Sequence, residues 1–135
     1  MESRKQQGLS SNERIKSKKD FDELYSSGNI LISSDQKIKA IYLIDKNPDG
    51  GVKIAAVVSK KLGTAVWRNR IKRLIKEAYR LNKKEIVSCA DIDEKNIRLI
   101  FSAFALSEKK NKKIMLNEIV PGVLEIMNRI KRNLK

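Results

Sequence analysis

The chain has 135 residues, with thirty Lys and Arg against sixteen Asp and Glu, a net charge of +14, one cysteine and no histidine. That length suits one domain with a modest core, and the charge calls for an anionic partner, nucleic acid before anionic membrane. A lone cysteine excludes internal disulfides and multi-cysteine zinc sites, and the missing histidine removes the commonest acid–base catalyst and metal ligand, which favours a protein that binds while another molecule does the chemistry.

No apolar run approaches the roughly eighteen residues of a membrane span, and no signal-type apolar segment follows the charged start. A cytoplasmic protein with no membrane contact is therefore expected. Residues 1–12 are polar and read as a flexible basic tail ahead of a single domain over 13–135. Residues 17–27 predict a short helix, since Ser17 can cap it, Phe21, Leu24 and Tyr25 fall at helical spacing, and Gly28 can end it. On spacing alone Phe21 and Tyr25 fit the core face of that helix as well as any binding role.

Residues 29–36 read as an irregular segment. A strand is expected over 37–45, where Ala40, Tyr42 and Ile44 alternate with polar neighbours, then a turn at Asn47-Pro48-Asp49-Gly50-Gly51 and a second strand over 52–58. The two strands predict an antiparallel hairpin. Residues 59–80 then hold Lys60, Lys61, Arg68, Arg70, Lys72, Arg73, Lys76 and Arg80 against one acid, Glu77. Trp67, Ile71, Leu74, Ile75, Ala78 and Leu81 recur at helical spacing, so a helix over 65–83 buries one stripe and turns cations outward. Four of the nine arginines lie within 68–80, where even spreading would put about one. Arginine grips phosphate oxygens as a rigid fork, so this reads as a phosphate-binding face.

Residues 84–96 read as a solvated loop whose acids, Asp91, Asp93 and Glu94, do not match a calcium loop. A central strand is expected over 97–106. The last helix is expected over 112–133, with Ile114, Leu116, Ile119, Val123, Ile126 and Ile130 as its buried stripe and a kink or restart at Pro121.

The run Ser59-Lys60-Lys61-Leu62-Gly63, then Ala65-Val66, then Arg68-Asn69-Arg70-Ile71-Lys72-Arg73-Leu74-Ile75-Lys76-Glu77, resembles the signature of the protein subunit of bacterial ribonuclease P. The resemblance covers about residues 14–132 and is specific at 59–80. It implies an α/β sandwich with a left-handed crossover around the basic helix, against the usual rule. It also implies a ribonucleoprotein endonuclease whose RNA uses Mg2+ to hydrolyse one phosphodiester of precursor tRNA and release the 5′ leader. Catalytic residues are then expected on the RNA and none on this chain, whose partners would be that RNA and precursor tRNA, with no small-molecule substrate. Carried over by position, Lys60, Lys61, Arg68, Asn69, Arg70, Lys72, Arg73 and Lys76 match the RNA-binding motif, and Arg14, Phe21 and Tyr25 match the leader groove. The chain departs from the family where Ala103-Phe104 replaces a basic residue at the end of the central strand, and where 29–39 aligns poorly with the family's first strand.

The expected class is α+β: a small mixed sheet with packed helices in the order α-β-β-(β)-α-β-α, the basic helix forming the crossover. A ribosome-associated or general RNA-binding protein shares the charge and the basic helix but not the full signature. An autonomous nuclease would need converging carboxylates, and the acids here are scattered.

Overall fold

A computed structural model describes Leu9 and residues 11–134. The helices are α1 (Lys18–Ser27), α2 (Ala65–Asn82), α3 (Lys84–Ile92) and α4 (Leu116–Asn133); the strands are β1 (Asn29–Ile32), β2 (Ile38–Lys46), β3 (Val52–Val57) and β4 (Lys95–Ala103). Short 3-10 turns occupy Ser11–Glu13 and Lys60–Leu62. Most of the expected tail lies outside the described residues. From Arg14 onward the chain is tied to the sheet, through a bridge to Ile54 and the Ile15 amide donating to the Ile54 carbonyl at 2.9 Å.

The four strands run in the order β1-β2-β4-β3, so the expected hairpin of the second and third strands does not form. Its turn is real: Asn47 accepts from the Gly50 and Asp49 amides, and Gly50 (φ 65) and Gly51 (φ 118) take left-handed conformations that favour glycine. Turn chemistry reports only a local reversal. The position beside β2 goes to β4, whose Ile97, Leu99, Ile100 and Phe101 are all buried and which pairs antiparallel with β2 and parallel with β3. Helices α2 and α3 form the connection that this parallel pair requires.

Residues 29–32, expected to be irregular, form an edge strand antiparallel to β2. Only Leu31 packs on the main core while Ile30 and Ile32 stay exposed, so four residues carry too little alternation to be read as a strand. Residues 84–92, expected to be loop, form α3 with Ile86 and Ala90 buried. The last helix starts at Leu116 rather than 112 and runs on through Pro121. Proline there removes one backbone donor near the start, which about three further turns of packing outweigh. Next to it, Gly122 allows a close approach: a Cβ would stand 3.0 Å from the Ile38 side chain and 3.1 Å from Ser33 Oγ.

The sheet's two faces divide the core. Helices α2, α3 and α4 cover Ile38, Ala40 and Tyr42 of β2, Val52 and Ile54 of β3, and Ile97, Leu99 and Phe101 of β4. In α2 the buried residues are Trp67, Ile71, Ile75, Ala78 and Tyr79, while Leu81, expected inside, is 55% exposed. Tyr79 stacks obliquely on Phe101, and burial, with Glu13 adding negative charge, raises its phenol well above the ordinary value. On the opposite face α1 covers a smaller cluster of Ile15, Leu24, Ile41 and Ile100. No described helix is long and apolar enough to cross a membrane.

Candidate nucleic-acid interface

The approach to α2 is built to hold its basic start. Ser59 Oγ accepts from the Lys61 amide at 3.3 Å, and Thr64 Oγ1 caps the helix by accepting from the Trp67 amide at 3.3 Å. Between them Gly63 is extended, and a Cβ there would sit 2.7 Å from the Trp67 ring and 2.8 Å from Glu108. Lys60 and Lys61 are left exposed on this turn.

Beyond the cap, the buried stripe of α2 fixes which side chains face out. Val66, Asn69, Lys72, Arg73 and Lys76 line one shallow concavity of about 530 Å³. None of its three cations forms an ion pair among the described residues. Around the helix, Arg73, Lys76 and Arg80 join Arg14, Leu9, Leu74 and Glu77 in a second concavity of about 500 Å³. Arg80 donates to Glu77 at 2.9 and 2.6 Å, and these bonds hold the Glu77 carboxyl below the usual carboxylate range against the opposing cost of burial.

One of the arginines expected on the RNA face is engaged within the fold, and a second is partly enclosed. Arg70 donates to the Ile114 carbonyl and reaches Met115 Sδ at 3.7 Å, so its guanidinium braces the loop before α4. Arg68 is half-buried, with Nε enclosed and without a hydrogen-bond partner. Replacing Arg70 with Gln is expected to lower stability by about 1.5–3 kcal/mol, the range for a hydrogen bond to a charged group, while Arg73→Gln leaves it near parental. Thermal melting of the two variants checks this, and equal melting would return Arg70 to the binding face.

Arg14 also parts from its expected companions. It lies beside α2, whereas Phe21 and Tyr25 sit on α1 across the sheet. On that face the register lines up three cross-strand rows: Leu43, Arg98, Lys53; then Ile41, Ile100, Ala55; then Lys39, Ser102, Val57. Leu24 of α1 packs on the cluster centred on the middle row, with half-buried Phe21 against it. At the first row Arg98 binds three carboxylates, Asp20 at 2.8 Å and Glu23 at 2.7 Å from α1 and Asp45 at 3.0 Å from β2. Those bonds, Glu23 first, raise the already high basicity of Arg98 despite desolvation. The third row stays only half-covered, and Tyr25 is 57% exposed. Lys39 brings a cation to this row directly opposite Ser102. Sequence reasoning missed it, although it shares the strand parity of Ile41 and Leu43.

Among the described residues no group of three or more Cys, Asp or Glu stands close enough to hold a metal ion. Many of the acids act as anchors: besides those already named, Glu13 pairs with Lys83, Glu85 with Lys131 at 3.1 Å, and Glu108 accepts from the Thr64 amide at 2.8 Å.

The family model for ribonuclease P matches residues 9–120. The ribonuclease P protein component of Alkaliphilus metalliredigens is 39% identical over 84 residues, covering 62% of this chain and 72% of its own. That of Clostridium novyi is 34% identical over 122 residues, covering 90% of this chain and 96% of its own. Among solved structures, a Staphylococcus aureus RNase P protein mutant with defective mRNA degradation activity aligns with a TM-score of 0.64 at 28% identity, over 89% of this chain and 88% of its own. The RNase P protein from Thermotoga maritima has a TM-score of 0.67 at 20% identity, over 87% and 96%, a likeness of fold.

Proposed function

This chain belongs to the bacterial ribonuclease P protein family, and on that premise we propose how its surfaces divide the work of the ribonucleoprotein. It is the protein subunit of ribonuclease P, an RNA-binding component of tRNA processing. The open face of α2, with Asn69, Lys72, Arg73 and Lys76, binds phosphates of the enzyme's RNA, and Lys60 and Lys61 extend that surface at the helix start. The single observation that carries this is the geometry of α2: one stripe buried in the core and, outside it, cations with no ion pair among the described residues around an open concavity. Arg14 works with this face rather than with the leader. Arg70 reaches the RNA only indirectly, through the loop it holds.

The second surface is the third row of the sheet beside α1, where Phe21, Tyr25 and Lys39 would hold the unpaired 5′ leader of precursor tRNA. Bases stack on aromatic rings for about 1–3 kcal/mol each, and a cation beside them tracks the backbone. Hydrolysis itself belongs to the RNA and its Mg2+. Supporting this, the chain has no histidine, and the carboxylates on the face of the leader groove, Asp20, Glu23 and Asp45, are tied to Arg98.

The leader assignment makes different demands on the two aromatics. Tyr25→Ala should melt like the parent and lose about 1–3 kcal/mol of affinity for leader-bearing precursor alone. Phe21→Ala, because its ring also packs on the smaller cluster, should lose leader affinity and some stability together. If Tyr25→Ala discriminated between precursors with and without a leader as the parent does, the groove would lie elsewhere.

A further inference from the structure

The connection from β4 to α4 contains Lys109, Lys110, Lys112 and Lys113 around Asn111, all four lysines exposed. Such a run is ordinarily a loose, solvated tip. Here the backbone is fastened on both sides of the lysines. Trp67 Nε1 donates to the Asn111 carbonyl at 3.1 Å, and Arg70 donates to the Ile114 carbonyl. The Glu108 amide donates to the Leu62 carbonyl at 2.7 Å, and its carboxylate accepts from the Thr64 amide at 2.8 Å. Asn111 closes the loop on itself, its amide donating to the Ser107 carbonyl at 2.7 Å and its Oδ1 accepting from the Ser107 amide at 3.2 Å. Leu106 and Ile114 are buried at the two ends.

The Phe104 and Ala105 amides tie the start of the connection to Lys37 and Gln36, but the external anchors of residues 108–114 belong to the 60–64 segment and the first turns of α2, the elements that present Lys60, Lys61 and the binding face. The acid within the loop, Glu108, is turned toward Thr64, and among the described residues none of these six lysines forms an ion pair. Like charges held together repel, and a backbone already ordered forfeits little entropy when an anion binds. We propose that the 109–113 loop, held beside the 60–61 turn, forms a second phosphate-contacting surface, which engages the RNA backbone next to the segment bound by α2 and that turn. The proposal rests on the α2 reading above. It also gives Trp67 and Arg70 a purpose beyond packing, since both set the position of the loop.

The test is equilibrium binding of the full chain to ribonuclease P RNA across a salt series. It uses the parent, the quadruple variant of Lys109, Lys110, Lys112 and Lys113 to Gln, and the α2 variant of Lys72, Arg73 and Lys76 to Gln. Counting about 0.7–0.9 per lost phosphate contact, the loop variant should flatten the log–log slope by up to about 3–4 and weaken binding roughly 10- to 100-fold at physiological salt. The matching Lys→Arg variant should bind like the parent, which separates lost charge from a disturbed loop. Parental binding by the loop variant with weakened binding by the α2 variant would overturn this proposal and leave the α2 reading intact. Parental binding by both would overturn both.

Discussion

Exchanging Lys72, Arg73 and Lys76 of α2 for Gln is expected to weaken binding to ribonuclease P RNA by about a hundredfold at physiological salt and to flatten the salt dependence by about 2–3 log units per decade. Each cation that neutralises a phosphate releases a condensed counterion, so three lost contacts compound in the binding constant. Arg73 is exposed and Lys72 and Lys76 are half-buried, and none of the three belongs to the buried stripe of α2, so exchange for Gln should leave the core in place. Stability and binding therefore separate: this variant should melt like the parent, while Arg70→Gln should melt early. If the α2 variant kept parental affinity across the salt series, the RNA would be held by another face.

Arg98→Met is expected to lower stability by about 2 kcal/mol, a fall in Tm of roughly 5–10 °C. Arg98 is 12% exposed and its three carboxylate partners are 28, 48 and 54% exposed, so solvent screening keeps the cost below that of a fully buried pair. Without the guanidinium, Asp20, Glu23 and Asp45 repel one another across the joint between α1 and the sheet. Two rescues should follow from that cause: Asp20→Asn with Glu23→Gln in the Met background, and screening by molar salt. Failure of both would mean that packing, not charge, accounts for the loss. Because α1 carries Phe21 and Tyr25, the unrescued variant should also lose its preference for leader-bearing precursor.

The parts legible in the sequence are those decided locally. The period of Trp67, Ile71, Ile75 and Ala78 specifies both a helix and its outward face, and Ser17 marks a helix start that the structure uses as a cap. Arg70 and Arg73 are indistinguishable by type, and what separates them is a carbonyl at Ile114, far along the chain. Strand order was hidden for the same reason. A good turn at 47–51 suggests that its flanking strands pair, yet the gap between them is wide enough for β4, which offers more apolar surface. Helix α3 escaped notice because it follows α2 across the single residue Lys83 and ends among acids. The Arg98 cluster joins three segments distant in sequence, which no local pattern announces. The same distance separates Arg14 from Phe21 and Tyr25, which are close in the chain but lie on opposite faces of the sheet.

The central claim is that this chain binds and positions while its RNA partner cleaves. Its most direct test is 5′ processing of precursor tRNA by ribonuclease P RNA at a magnesium concentration where that RNA alone is slow, with and without the chain. Cleavage at the leader junction is expected to be restored by the chain, and to be absent with the chain alone. Robust cleavage by RNA-free protein, or an RNA whose rate and magnesium requirement ignore the added chain, would contradict it.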